Sequence, residues 1–160
     1  MAGFFTNYYG ADRPFITVVE PNKADCIFRT AQANDGQLHF VTGDMDTIMA
    51  GLACGEPNIL SWDILRNHVS AFVSCPDWVS ARGMRMLGVP VKGDPTVISG
   101  ESGAVGMGLI AALMETDEYK DLREYLGLDR FSQVLLFSTE GNTDPMKFRK
   151  VLWDGEYPTV

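Results

Sequence analysis

Positive charge is scarce in this chain: 13 lysines and arginines stand against 21 aspartates and glutamates, for a net charge of −8. Most of such a surface would repel a phosphate backbone, which argues against a nucleic-acid partner. Histidine is scarcer still. His39 and His68 lie far apart and lack the spacing of metal ligands, so both read as surface or structural residues and no metal site is expected. Cys26, Cys54 and Cys75 occupy three different segments without a C-x-x-C pair, and an odd count suits a reducing, cytoplasmic setting. No apolar run approaches the roughly 20 residues that span a bilayer, so no membrane partner is expected. Met1 to Tyr9 hold neither the basic cluster nor the apolar stretch of a secretory signal. P-loop, H-E-x-x-H and Ser-His-Asp patterns are absent, as is a G-x-G-x-x-G run after a strand.

What remains is an ordinary globular composition, with 46% hydrophobic and 21% charged residues over 160 positions. Residues 1–160 read as a single piece without repeat or linker. Short β-branched runs alternate with amphipathic stretches. Phe15 to Val19, Leu38 to Val41, Ala71 to Cys75 and Val134 to Phe137 read as strands. Helices are expected over Lys23 to Ala33, Asn58 to Val69, Pro76 to about Leu87, Ser99 to Met114, and from about Pro145 onward, with a helical turn inside Gly43 to Pro57. Strands separated by helices imply an α/β fold: a parallel, twisted sheet with helices on both faces.

Such sheets bind ligands at the carboxyl ends of their strands. Three loops qualify: GLACGEP (Gly51 to Pro57), SGESGAVG (Ser99 to Gly106) and STEGNTDP (Ser138 to Pro145). The glycines of SGESGAVG cost helix stability, about 1 kcal/mol each against alanine. Either a ligand or a neighbouring element must therefore come close to that backbone, and the residues alone leave both open. In STEGNTDP, Asp144 and Pro145 suit a helix cap and a first turn, whereas Ser138, at the end of a strand run, is better placed for a ligand contact. Cys54 has no evident base beside it and makes a poor nucleophile candidate.

Taken with VVEPNKADC (Val18 to Cys26), VTGDMDTIMAGLACGEPN (Val41 to Asn58) and the later WDG (Trp153 to Gly155), these loops resemble the diaminopropionate ammonia-lyases. Those are pyridoxal-phosphate enzymes of fold type II, akin to threonine dehydratase and the tryptophan synthase β chain. The resemblance runs in order along nearly the whole chain. It implies a partial fold type II architecture, the C-terminal portion of a lyase that converts 2,3-diaminopropionate to pyruvate and ammonia. The implied cofactor is pyridoxal 5'-phosphate, the partner a small amino-acid substrate, and the complete protein a homodimer. Other outcomes in view are a non-catalytic remnant that serves as a binding domain and a lyase closer to the threonine or serine dehydratases.

By the same resemblance, Ser138 is the hydroxyl near the pyridine nitrogen and Thr139 its neighbour. Glu101 matches the carboxylate that precedes a small-residue helix. Gly51, Cys54 and Gly55 match the loop that passes beside the ring. No catalytic residue is implied within this chain. The Schiff-base lysine, the acid/base aspartates and the phosphate loop of the family lie upstream of this segment. Lys23, Lys92, Lys120, Lys147 and Lys150 stand in no family-like lysine motif. MAGFFTNYYG resembles the interior of the helix after the phosphate loop, so Met1 reads as a truncated or mis-started beginning. Cys26 and Cys54 flank one strand-and-loop unit, and their approach, even their pairing, is left open.

Overall fold

A computed structural model describes residues 1–159. They form two compact units, Met1–Asp46 with Ala53–Ser74, and Thr47–Leu52 with the chain from Cys75 onward. Among the described residues no helix is long and apolar enough to cross a membrane.

The first unit holds α1 (Ala2–Tyr9), β1 (Thr17–Pro21), α2 (Cys26–Ala33), α3 (Ile59–His68) and all but the last residue of β2 (Ala71–Cys75). β1 and β2 pair as a two-stranded parallel sheet. Their register begins at Ile16, whose carbonyl accepts the Ser70 amide at 2.8 Å. Trp62 of α3 packs on Phe72 of β2 with ring centres 5.8 Å apart. Asn58 opens α3 by accepting the Ser61 amide at 2.9 Å, a side-chain N-cap.

α2 starts three residues later than its sequence pattern suggests. Lys23 and Ala24 belong to a turn closed by the Ala24 amide on the Pro21 carbonyl. The cap then comes from outside the helix: the Glu20 carboxylate accepts the amides of Ile27 at 3.2 Å and Phe28 at 2.7 Å. A carboxylate on free first-turn amides also meets the positive end of the helix dipole. Burial nonetheless raises the Glu20 pKa, since those bonds offset only part of the lost hydration.

The second unit is helical: α4 (Asp77–Gly88), α5 (Glu101–Glu115), α6 (Lys120–Tyr125) and α7 (Pro145–Leu152). Its core gathers Ala81, Met84, Ala104 and Val151, all fully buried, with Ile48, Leu87, Phe148, Leu152 and Tyr157 packed around them. α4 and α5 cross at backbone contact. A Cβ on Gly83 would lie 2.0 Å from the Ala104 carbonyl oxygen, and one on Gly108 would lie 1.8 Å from that of Val79. Arg85 ties down the chain after α7, donating to the carbonyls of Val151 at 3.1 Å, of Tyr157 and of Glu156. Asp144 caps α7 on the Lys147 amide at 3.0 Å, with Pro145 in the first turn, as its sequence pattern indicates.

Two expected strands are not formed among the described residues. Leu38 to Val41 makes isolated contacts in place of a ladder: His39 donates its amide to the Thr30 hydroxyl at 2.9 Å, and Val41 donates its own to the Gly55 carbonyl at 2.9 Å. Val134 to Phe137 has strand composition, but its four side chains stand 37% to 65% exposed. A strand exists only with a neighbour to pair with, which composition alone does not supply. α6 carried too short a pattern to be recognised.

The helix crossing fixes the sign of one substitution. In a free helix, Gly108→Ala would gain about 1 kcal/mol of propensity. Here the added methyl must displace a main-chain carbonyl, at about 1–3 kcal/mol or more. Gly108→Ala therefore lowers the midpoint of chemical denaturation; a midpoint at or above the wild-type value contradicts the crossing.

Candidate functional site

The site is built around the first turn of α5. Its N-cap is Gly100, which has no side chain to receive the free amides of that turn. Glu140, from the loop after the exposed 134–137 run, takes the role. Its carboxylate accepts the Ser102 amide at 2.8 Å, and its main-chain carbonyl accepts the Gly100 amide at 2.9 Å. The other carboxylate oxygen accepts the Thr143 hydroxyl at 3.2 Å. The loop is thus held on the helix end by both the main chain and the side chain of one residue.

This docking brings Ser138 to α5. The Ser138 and Ser99 hydroxyl oxygens are 2.8 Å apart, and Ser138 also donates, at 3.3 Å, to the Glu140 carbonyl. Ser138 is exposed, whereas Ser99 is 1% exposed. Glycine is required alongside: a Cβ at position 103 would lie 2.6 Å from the Ser99 Oγ and 3.1 Å from the Ser138 Oγ. At position 100 it would lie 2.5 Å from the Gly141 carbonyl oxygen. Neighbouring elements therefore account for the glycine run, on different faces of α5. Gly108 serves helix packing, while Gly100 and Gly103 let the Ser138 loop approach.

Glu101 is the first residue of α5 and only 7% exposed. The buried Ser80 hydroxyl donates to its main-chain carbonyl. Burial is the main cause that raises the Glu101 pKa above the ordinary glutamate range. The negative charges of Glu140 and Asp144 add to it, and Lys147 opposes them. Gly51 lies at the same helix turn, its amide donating to the Ser102 hydroxyl oxygen at 3.0 Å. Ser138, Glu101 and Gly51 are therefore gathered at one end of α5. Thr139 is exposed beside Ser138.

Cys54 and Gly55 belong to the first unit. Cys54 is exposed and forms a parallel bridge with Asp25. Gly55 approaches Val41 so closely that a Cβ would fall 2.2 Å from the Val41 carbonyl oxygen. All three cysteines are free, so the possible pairing of Cys26 and Cys54 is not realised. Burial, with the Glu20 charge second, pushes the Cys26 thiol up to about 11, and burial pushes Cys75 up to about 12. Neither supplies a thiolate near neutral pH. Among the described residues no cluster of metal-ligating side chains occurs.

Ser99, Ser102 and Glu140 are the residues at this helix end that sequence reasoning passed over. One signal was available: a helix beginning after glycine lacks its own cap, and a glutamate stands two residues beyond Ser138.

No family model matches the chain. Over 154 residues it is 50% identical to the diaminopropionate ammonia-lyase of Salmonella typhimurium, covering 96% of this chain and 38% of that protein. The diaminopropionate ammonia-lyase of Escherichia coli in complex with D-serine superposes with a TM-score of 0.87 at 43% identity, covering 99% of this chain and 39% of that one. Maize serine racemase, 24% identical with a TM-score of 0.59 over 78% of this chain and 36% of its own, shares the fold. The fold is that of the type II pyridoxal-phosphate enzymes. Within that class the chain is similar in sequence to the diaminopropionate ammonia-lyases, of whose length it spans somewhat over a third.

The buried Glu101 gives a pH test of the site. A carboxyl whose folded pKa lies above its unfolded value binds its proton more tightly when folded, so stability falls as pH rises through the interval between the two values. Glu101→Gln removes that loss. Its melting temperature should exceed that of the wild type at pH 7, and the difference should shrink toward pH 4. A Glu101→Gln protein less stable than wild type at pH 7 contradicts the cause given for the shift.

Proposed function

We propose that this chain is the C-terminal portion of a pyridoxal-phosphate-dependent lyase acting on 2,3-diaminopropionate, a small amino acid whose β-amino group is the leaving group. The reaction consumes one water and yields pyruvate and two ammonia. The observation that carries the proposal is the Ser138 hydroxyl, exposed at the end of α5 and backed by buried Ser99. It stands in a chain alike in sequence to diaminopropionate ammonia-lyases over 96% of its length.

When bound, the cofactor supplies the electron sink that makes the α-proton acidic and lets the β-amino group depart. The residues here fit the ring-nitrogen end of that group. Ser138 offers a hydroxyl donor to the nitrogen, and a hydroxyl is far too weak an acid to protonate it. Gly100 and Gly103 place no side chain between α5 and that hydroxyl. Glu101 stands at the same helix end. Placement of Thr139, Gly51, Cys54 and Gly55 against the cofactor rests on the resemblance alone.

The exposed apolar run Val134 to Phe137 and the coverage of 38% of the Salmonella protein support a segment of a larger sheet. Among the lysines, Lys120 pairs with Glu124 at 3.7 Å, Lys150 with Glu156 at 3.6 Å, and Lys147 lies 5.8 Å from the Tyr157 ring centre. The lysine that holds the cofactor is assigned to the preceding portion of the enzyme.

The test uses the gene product that carries this chain. Loaded with pyridoxal phosphate, it should release pyruvate and ammonia from 2,3-diaminopropionate. Ser138→Ala removes one neutral hydrogen bond and should weaken cofactor binding about threefold to tenfold. Cofactor binding and pyruvate release unchanged by Ser138→Ala would overturn the assignment.

A further inference from the structure

We infer that Ser99 is a positioning residue that aims the Ser138 proton at the ring nitrogen, which rests on the assignment of Ser138 made above. Ser99 is 1% exposed, so water cannot receive its proton. A buried hydroxyl left without an acceptor is costly, so it donates to what lies within reach. Two acceptors are there: the Ser138 Oγ at 2.8 Å and the Gly100 carbonyl at 3.4 Å. The first matches the ordinary O–H···O length, while the second lies beyond it. Ser99 therefore donates to Ser138.

A hydroxyl has one proton and two lone pairs. With a lone pair taken by Ser99, the Ser138 proton points away from α5, where its hydrogen-bonding acceptor among the described residues is the Glu140 carbonyl at 3.3 Å. A ring nitrogen at an ordinary distance displaces so long a bond. Accepting from Ser99 also polarises the Ser138 hydroxyl and makes it a stronger donor.

The opposite polarity has a different outcome. Were Ser138 to donate inward, only a lone pair would face the ring nitrogen, which would then bind well only when protonated. Burial of Ser99 thus selects the unprotonated ring. Gly103 keeps the room for the pair, since a Cβ there would press on both oxygens. Ser99 touches neither cofactor nor substrate in this scheme; it acts through Ser138.

The experiment uses the gene product that carries this chain, loaded with 15N-labelled pyridoxal phosphate. Cofactor affinity is read by fluorescence titration and the ring-nitrogen environment by its 15N shift. Ser99→Ala should weaken binding about threefold to tenfold and move the 15N resonance in the same direction as Ser138→Ala. The double variant should match Ser138→Ala alone, because Ser99 has no effect without its relay partner. Ser99→Cys keeps the volume with a weaker donor and should fall between wild type and Ser99→Ala, which keeps the test available should the alanine variant fail to fold.

Wild-type affinity and 15N shift in both Ser99 variants, while Ser138→Ala changes both, would overturn the relay and leave the Ser138 assignment standing. Additive losses in the double variant would also overturn it. No change in Ser138→Ala itself would remove the assignment and the relay together.

Discussion

A helix that begins after glycine leaves its first amides without a side-chain cap, and α5 meets that need from a loop almost forty residues later in the sequence. Glu140 accepts two of the amides at that helix end, one with its carboxylate and one with its main-chain carbonyl. Buried amides without partners are rare because each costs about as much as a lost hydrogen bond. The cap therefore also determines where the 138–141 loop sits. Ser138 reaches Ser99 because Glu140 is docked, and the hydroxyl pair exists only while that docking holds.

The glycines of α5 make the docking sterically possible. Gly103, Gly106 and Gly108 lie inside the helix and together cost roughly 3 kcal/mol of propensity against alanine. Each is explained by a close approach. Gly108 admits the α4 backbone at Val79, Gly106 admits Leu136, and Gly103 admits the two serine hydroxyls. One helix thus carries core packing on one face and the docked Ser138 loop on another. The loss in propensity is offset by burial of the core that α4, α5 and α7 share around Met84, Ala104 and Val151.

Much of this architecture was legible in the sequence. Periodicity and caps located α3, α4, α5 and α7 to within one or two residues at most ends, because those signals are local. Asp144 followed by Pro145 announced its own cap. The α2 start was not legible, since its cap comes from Glu20 across a turn. Leu38 to Val41 and Val134 to Phe137 read as strands because composition reports a fitting side-chain pattern, not the presence of a partner strand. At the site, hydroxyls and glycines were visible as residue types, and the family resemblance drew attention to Ser138, Glu101 and Gly51. Ser99 and Glu140 escaped notice because their roles depend on a contact between segments nearly forty positions apart.

We propose a donor hydroxyl, aimed outward by a buried partner, at the end of a helix that its capping loop approaches through glycine. Its most direct test is a crystal structure of the gene product carrying this chain with pyridoxal phosphate bound. The ring nitrogen should lie within ordinary hydrogen-bond distance of the Ser138 Oγ, about 2.7–3.0 Å, with the Ser99–Ser138 contact retained behind it. A ring nitrogen paired with a carboxylate, or a ring bound away from the N-terminal end of α5, would contradict the account.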